Sequence, residues 1–303
     1  MREICFFTKK SKRNFFRNYL NLEQNNQKMR LYRTSRGIIL TRNTDHFLLK
    51  NTDWDKLINE DNLYAALSKA ADNSEPQAGL LDTVAILPPV VSQEIWAAGV
   101  TYYRSKVGRQ EESKDAGGGD FYARVYEAKR PELFFKSPAY RAVGNGEKVR
   151  IRKDSTWDVP EPELTLVVNK AGKIIGYTIG NDMSSRSIEG ENPLYLPQAK
   201  CYDKSAAVGP CVFVTDKPLP EDTSIMIEII RGTKVFEGRT GINQIKRAFT
   251  ELVSYLFMET SFPQGCLLMT GTGIVPPNDF TLRKNDEIRI TIDHIGTLVN
   301  TVE

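Results

Sequence analysis

The chain has 303 residues, 40% of them hydrophobic and 26% charged, a balance that allows a sizeable buried core and excludes wholesale disorder, collagen-like repeats and low-complexity character. No apolar run approaches the roughly 18 residues of a membrane span, so a soluble protein without a membrane partner is expected. The formal charge of +3 comes from residues 1–28, where Arg2, Lys9, Lys10, Lys12, Arg13, Arg17 and Lys28 stand against Glu3 and Glu23; the rest of the chain is slightly acidic, which is not the spread basic footprint of a nucleic-acid binder.

Residues 1–28 show weak periodicity and are excluded from the fold, with Met29 as the candidate initiator of a strand-like Met29-Arg30-Leu31-Tyr32-Arg33. An amphipathic organellar presequence is the other reading of so basic a tail. Residues 29–90 form a small mixed unit, with strands near Arg36 to Leu40 and Asp45 to Leu49, a helix around Asn62 to Ala71, and the Pro88-Pro89 pair at its end. A lid-like polar stretch at 105–120 contains Gly117-Gly118-Gly119. Residues 91–303 are otherwise strand-dominated, with alternation in Leu133 to Lys136, Leu164 to Val168, Ile174 to Ile179, Ile225 to Ile230 and Ile288 to Ile292. Ile242, Ile245, Phe249, Leu252, Val253 and Leu256 follow 3-4 spacing and predict one helix packed on the sheet.

Four cysteines, Cys5, Cys201, Cys211 and Cys266, show neither a CxxC pair nor zinc spacing, and nothing at the start reads as a secretory signal. Reduced thiols in the cytoplasm are expected, with the three later cysteines as small core residues. A catalytic cysteine would need a histidine partner, and the two histidines, His46 and His294, lie far along the chain from any cysteine cluster.

The densest chemical signal is Pro160-Glu161-Pro162-Glu163-Leu164-Thr165 followed by Asn181-Asp182. On an extended segment Glu161 and Glu163 point to one face. A turn centred near Ala171 folds Ile174 to Ile179 back on Leu164 to Val168, so antiparallel pairing sets residue 161 opposite about residue 182, to within roughly two residues. Three carboxylates then converge with no histidine or thiolate nearby. Oxygen-only ligation favours Mg²⁺, with Mn²⁺ or Ca²⁺ as alternatives; a solvated acidic strand edge is the competing reading of the spacing alone.

Trp96-Ala97-Ala98-Gly99-Val100-Thr101-Tyr102, Glu161-x-Glu163, Asn181-Asp182-Met183-Ser184-Ser185-Arg186, Gly271-Thr272 and Ile295-Gly296-Thr297-Leu298-x-Asn300-x-Val302 together resemble the fumarylacetoacetate hydrolase family over about Trp96 to Glu303. The resemblance implies an α+β fold, with a mixed β-roll catalytic domain beside the small N-terminal α/β domain. It also implies Mg²⁺ or Mn²⁺ on Glu161, Glu163 and Asp182, a 2-keto acid as small-molecule substrate, and a homodimer or homotetramer. Arg130-Pro131-Glu132-Leu133-Phe134-Phe135-Lys136 and Glu191 to Lys200 resemble the 2-keto-3-deoxy-D-arabinonate dehydratase branch. Hydrolases of the family carry an asparagine, a histidine and a glutamate at the lid where this chain has Thr101, Ser105 and Gly108, and Glu189 stands where they often have glutamine. Lacking that water-activating pair, the chain is expected to be a metal-dependent hydro-lyase converting a 2-keto-3-deoxypentonate to 2,5-dioxopentanoate.

In that scheme Lys200 is the candidate proton acceptor, its basicity tuned by a neighbouring dication and an apolar pocket. Glu132 or a water is the candidate proton donor, Glu132 lying on a strand face shared with Phe134 and Lys136; an ion pair between Glu132 and Lys136 is the structural alternative. The resemblance gives Arg186 and Thr272 the substrate's keto-acid end. The rivals are an acylpyruvate hydrolase or decarboxylase, with Glu111 or Glu112 replacing the missing pair, and a non-catalytic, metal-stabilised binding protein.

Overall fold

The computed structural model describes residues 28–104 and 124–303. The basic tail up to residue 27 and the lid stretch, with Ser105, Gly108, Glu111 and Glu112, lie outside the described residues. From Met29 the chain makes a meander of β1 (Met29–Thr34), β2 (Gly37–Arg42) and β3 (Asp45–Leu49). Helices α1 (Trp54–Leu57) and α2 (Leu63–Asp72) follow. Each starts where a side-chain oxygen can accept from an otherwise orphaned N–H, Asp53 from Lys56 and Asn62 from Ala65. Leu63, Leu67 and Ala71 of α2 are buried with Trp54, Leu31, Leu40 and Phe47, so this segment covers the sheet with apolar residues of its own.

The next strands are β4 (Ile86–Leu87), β5 (Glu94–Gly99), β6 (Glu132–Pro138), β7 (Lys148–Val149) and β8 (Asp158–Val159). The central hairpin is β9 (Pro162–Val168) and β10 (Ile174–Asp182), every residue of which is buried except half-buried Ile174. β11 (Ser184–Ser185), α3 (Arg186–Glu191), α4 (Leu196–Lys200) and β12 (Ala206–Val214) come next. Then follow β13 (Ser224–Arg231), β14 (Thr233–Gly241), α5 (Phe249–Leu256), β15 (Cys266–Met269), β16 (Glu287–Ile292) and β17 (Gly296–Val302).

One large sheet runs in the order β3-β2-β1-β12-β10-β9-β15-β5-β6, with β4 added on β1, and a second runs β14-β13-β16-β17-β7; β8 and β11 form a separate two-stranded pair. Mixed sheets with few helices make this an α+β fold. The residues 29–90 continue the large sheet through β1, which runs antiparallel to β12. On β13, Ile225, Ile227 and Ile229 alternate inward and meet Ile292, Ile290 and Ile288 of β16, so the period-2 pattern sets that register.

The predicted helix over residues 242–256 is shorter than its spacing suggests. Residues Ile242–Gln244 make a single 3₁₀ turn, and α5 begins only at Phe249. Between them Ile245 bridges to Tyr102 and the Lys246 N–H donates to the Thr101 carbonyl, so backbone groups that a helix would need are used across the chain. Leu252, Val253 and Leu256 still pack into the main core as expected. Among the described cysteines, Cys211 and Cys266 are buried free thiols, whereas Cys201 is half-buried at the end of α4.

Candidate active site

The β9–β10 hairpin places the carboxylates. Asn169 closes the turn by accepting the N–H groups of Ala171 and Lys173 on its side-chain oxygen, and Gly172 takes the left-handed conformation the turn requires, with φ of 73°. From that turn the register brings Glu163 opposite Gly180 and Pro162 opposite Asn181, and the Asp182 N–H donates to the Glu161 carbonyl at 3.0 Å. Glu161 and Asp182 therefore face each other one step beyond the ladder, as the turn arithmetic predicts. One oxygen each from Glu161, Glu163 and Asp182 lies within 4.8 Å of the others, and all three side chains are buried.

Three cations reach into this cluster. The Lys200 ammonium, wholly buried at the end of α4, donates to Glu161 Oε2 and Asp182 Oδ2 at 2.9 Å each and to Ser184 Oγ at 2.5 Å. The Phe134 ring lies 5.8 Å from the same nitrogen. The surroundings of Lys200 are thus mainly polar, which corrects the expected apolar pocket. Arg186, at the start of α3, donates from Nη2 to Glu161 Oε1 at 2.8 Å, and its Nε lies 4.0 Å from Glu189 Oε2. Lys136 pairs with Asp182 Oδ1 at 2.6 Å. Sequence reasoning considered Lys136 only as a partner for Glu132; the structure turns it to Asp182 instead.

Four buried carboxylates, Glu161, Glu163, Asp182 and Glu189, accompany three buried cations. The imbalance falls on Glu163, where burial, then the nearby Asp182 and Glu161, push the carboxyl well above the usual glutamate range. Its Oε2 accepts the Gly271 N–H at 2.6 Å. Burial also acts to raise Asp182, but Lys136 and Lys200 outweigh it and hold that carboxyl below the usual aspartate range. A hard-oxygen cluster that crowds like charge and raises the Glu163 carboxyl fits a small dication.

A small pocket opens on the cluster, lined by Ala98, Gly99, Val100, Phe134, Glu161, Asp182, Arg186, Gly271 and Thr272. Val100 takes φ of 52°, a strained conformation for a β-branched residue, just where β5 leaves the sheet beside the cluster. Thr272 reaches the pocket, but its hydroxyl is held in a turn with Ile274, donating to that carbonyl and accepting that N–H at 3.2 Å each. Half-buried Glu132 lies across Gly99, so closely that a Cβ on Gly99 would fall 2.1 Å from Glu132 Oε2. The structure thus sets Glu161, Asp182, Arg186 and Thr272 on the pocket wall, joins Lys200 and Glu163 to the same carboxylate cluster, and packs Glu132 against Gly99 of that wall. Tyr102 is buried beside Glu163, and burial followed by that charge raises its phenol.

Comparison with known proteins places these observations in context. Residues 95–303 match the family model described as fumarylacetoacetate (FAA) hydrolase, C-terminal. A Haloferax volcanii protein named "Probable 2-keto-3-deoxyxylonate dehydratase" is 46% identical over 244 residues, covering 80% of this chain and 82% of that protein. The 2-dehydro-3-deoxy-D-arabinonate dehydratase of Saccharolobus solfataricus is 41% identical over 226 residues, covering 74% and 76%. The solved structure of 2-keto-3-deoxy-D-arabinonate dehydratase complexed with magnesium and 2,5-dioxopentanoate superposes with a TM-score of 0.75 at 35% identity, over 91% of this chain and 98% of that one.

Proposed function

The chain belongs to the fumarylacetoacetate hydrolase family, and we propose that within it this protein is a Mg²⁺-dependent hydro-lyase that removes water from a 2-keto-3-deoxypentonate to give 2,5-dioxopentanoate. One observation carries the reading: a buried lysine amine is hydrogen-bonded to two of three clustered carboxylates, in a chain whose relatives at 41% and 46% identity bear dehydratase names. Glu161, Glu163 and Asp182 are the ligands of the dication. When bound, that ion would supply positive charge for an enolate oxygen.

The rest of the work falls to side chains. Lys200, once neutral, takes the C3 proton, and the electron pair of that C–H bond becomes the enolate. The enolate expels the C4 hydroxyl, which leaves as water with a proton from Glu132, giving a C3–C4 double bond. Loss of a proton from C5 and return of one to C3 shifts the double bond to C4–C5. Protonation of that enol at C4 and loss of the hydroxyl proton complete the aldehyde, so the net change is loss of one water. Arg186 and Thr272 orient the keto-acid end, Arg186 through charge-assisted donors. The free thiols Cys201, Cys211 and Cys266 suit a reducing, cytoplasmic setting, and a homodimer or homotetramer is part of the same reading.

The test is a substrate panel given to the purified protein with Mg²⁺. Formation of 2,5-dioxopentanoate from a 2-keto-3-deoxypentonate supports the reading. Faster release of pyruvate from an acylpyruvate overturns it in favour of a hydrolase, and no turnover of any 2-keto acid leaves a metal-stabilised binding protein.

A further inference from the structure

β6 carries one residue more than the strand it pairs with. Ile95 stands opposite Ser137 and Trp96 opposite Phe135, so Lys136 has no partner on β5. A bulge of this kind re-aims its extra residue, and Lys136 ends wholly buried against the ends of β10 and α4. Its ammonium donates to the carbonyl oxygens of Met183 at 2.9 Å and Lys200 at 2.6 Å and pairs with Asp182 Oδ1 at 2.6 Å. Two carbonyls accept hydrogen bonds from the ammonium, and the carboxylate oxygen is held beside it as a close ion pair. The Lys200 carbonyl is held a second time by Ser205 Oγ at 2.8 Å, which fixes the end of α4 from which the Lys200 side chain departs.

The two oxygens of Asp182 are therefore divided between two ammonium groups, Oδ1 to Lys136 and Oδ2 to Lys200. The two lysines are not equivalent. Lys200 contacts the side-chain oxygens of Ser184 and of Glu161, which lines the pocket, whereas Lys136 is tied to the backbone carbonyls of Met183 and Lys200. Pulling Oδ1 away from Lys136 would leave a buried ammonium with no carboxylate beside it, only carbonyl dipoles and the Tyr202 ring, which is costly. Calcium takes six to eight oxygens and readily uses both oxygens of a carboxylate, whereas magnesium demands near-octahedral geometry with fewer protein oxygens.

We infer that Lys136 is a positioning residue that withholds Asp182 Oδ1 from a bound cation, so that Asp182 ligates through one oxygen and the site prefers Mg²⁺ or Mn²⁺ to Ca²⁺. The inference rests on the metal-dependent reading above and says which ion that site selects and why.

The test titrates the metal-free protein with MgCl₂ and with CaCl₂ in a calorimeter, without substrate. Wild type binds Mg²⁺ more tightly than Ca²⁺. In Lys136→Met, with circular dichroism confirming the fold, the Mg²⁺-to-Ca²⁺ affinity ratio falls at least tenfold; Lys136→Arg, which keeps a cation on Oδ1, stays within about threefold of wild type. An unchanged ratio in folded Lys136→Met overturns the inference alone. So does tighter binding of Ca²⁺ than Mg²⁺ by wild type, a result that needs no variant and decides the matter even if Lys136→Met does not fold. Binding of neither ion overturns the metal-dependent reading and this inference with it, whereas absence of dehydration with a normal ion preference refutes only the proposed reaction.

Discussion

Replacing Lys200 by methionine removes one positive charge from the point where Glu161 and Asp182 meet while keeping most of the stem. In the wild type that charge reaches both carboxylates at 2.9 Å, in surroundings from which solvent is excluded. Breaking a buried pair by deleting one partner costs about 3–5 kcal/mol. Asp182 keeps Lys136 and Glu161 keeps Arg186, so the lower end, about 3 kcal/mol, applies here. That corresponds to a fall in Tm of roughly 5 °C in EDTA for a chain of this size. Added Mg²⁺ supplies the missing charge and recovers most of that fall. Turnover is not recovered: it drops by about 10²-fold or more, because no amine remains to take the C3 proton. Lys200→Arg restores the charge but not the basicity, so it melts closer to wild type and stays slow. Scanning calorimetry with and without Mg²⁺, beside turnover, reads both effects. If Lys200→Met melts with wild type in EDTA, the electrostatic reasoning is wrong. If Lys200→Arg turns over at near-normal rates, Lys200 is an anchor and the base lies elsewhere.

Three further outcomes follow from the same geometry. The Glu163 carboxyl is raised in the folded protein, so its contribution to stability is complete below the ordinary glutamate value of 4.5 and is lost as pH rises through the folded value. In EDTA, the Tm of wild type should therefore fall behind that of Glu163→Gln as pH is raised above 4.5, and parallel curves would remove Glu163 as the strained member of the triad. Gly99→Ala places a Cβ 2.1 Å from Glu132 Oε2, the end of a flexible side chain, so Glu132 moves at little cost in stability. Turnover should drop at least about tenfold with a Tm change under roughly 3 °C, and unchanged turnover would take Glu132 out of the reaction. Arg186→Lys keeps a cation near Glu161 but loses the planar donor fork, so KM should rise more than kcat falls; a loss confined to kcat would place Arg186 in the chemistry and not in substrate binding.

The triad was legible because a hairpin is local. Once the Lys170-Ala171-Gly172 turn is fixed, the pairing of residue 161 with residue 182 follows by counting, and no distant part of the chain can alter it. Lys200 could be singled out by resemblance but not located, since α4 is brought to the carboxylates by the path through α3 and not by its own pattern. Lys136 shows where alternation fails: a period-2 reading keeps it on one face with Glu132 and Phe134, whereas the bulge opposite Ile95 and Trp96 leaves it unpaired and aims it at Asp182. The strands of the N-terminal segment could be read individually, but the pairing of β1 with β12 joins residues about 180 apart and has no local signal. Ile245 carried a helical spacing that its bridge to Tyr102 overrides, because a tertiary hydrogen bond competes directly with the helix for the same backbone groups.

Proton NMR of the purified protein with Mg²⁺ and a 2-keto-3-deoxypentonate in D₂O tests the account most directly. Loss of substrate should match the appearance of 2,5-dioxopentanoate carrying solvent deuterium at C3, and excess EDTA should stop both. Pyruvate as the product of the sugar acid, or turnover that persists in excess EDTA, would contradict a metal-dependent dehydration at the Glu161, Glu163 and Asp182 cluster.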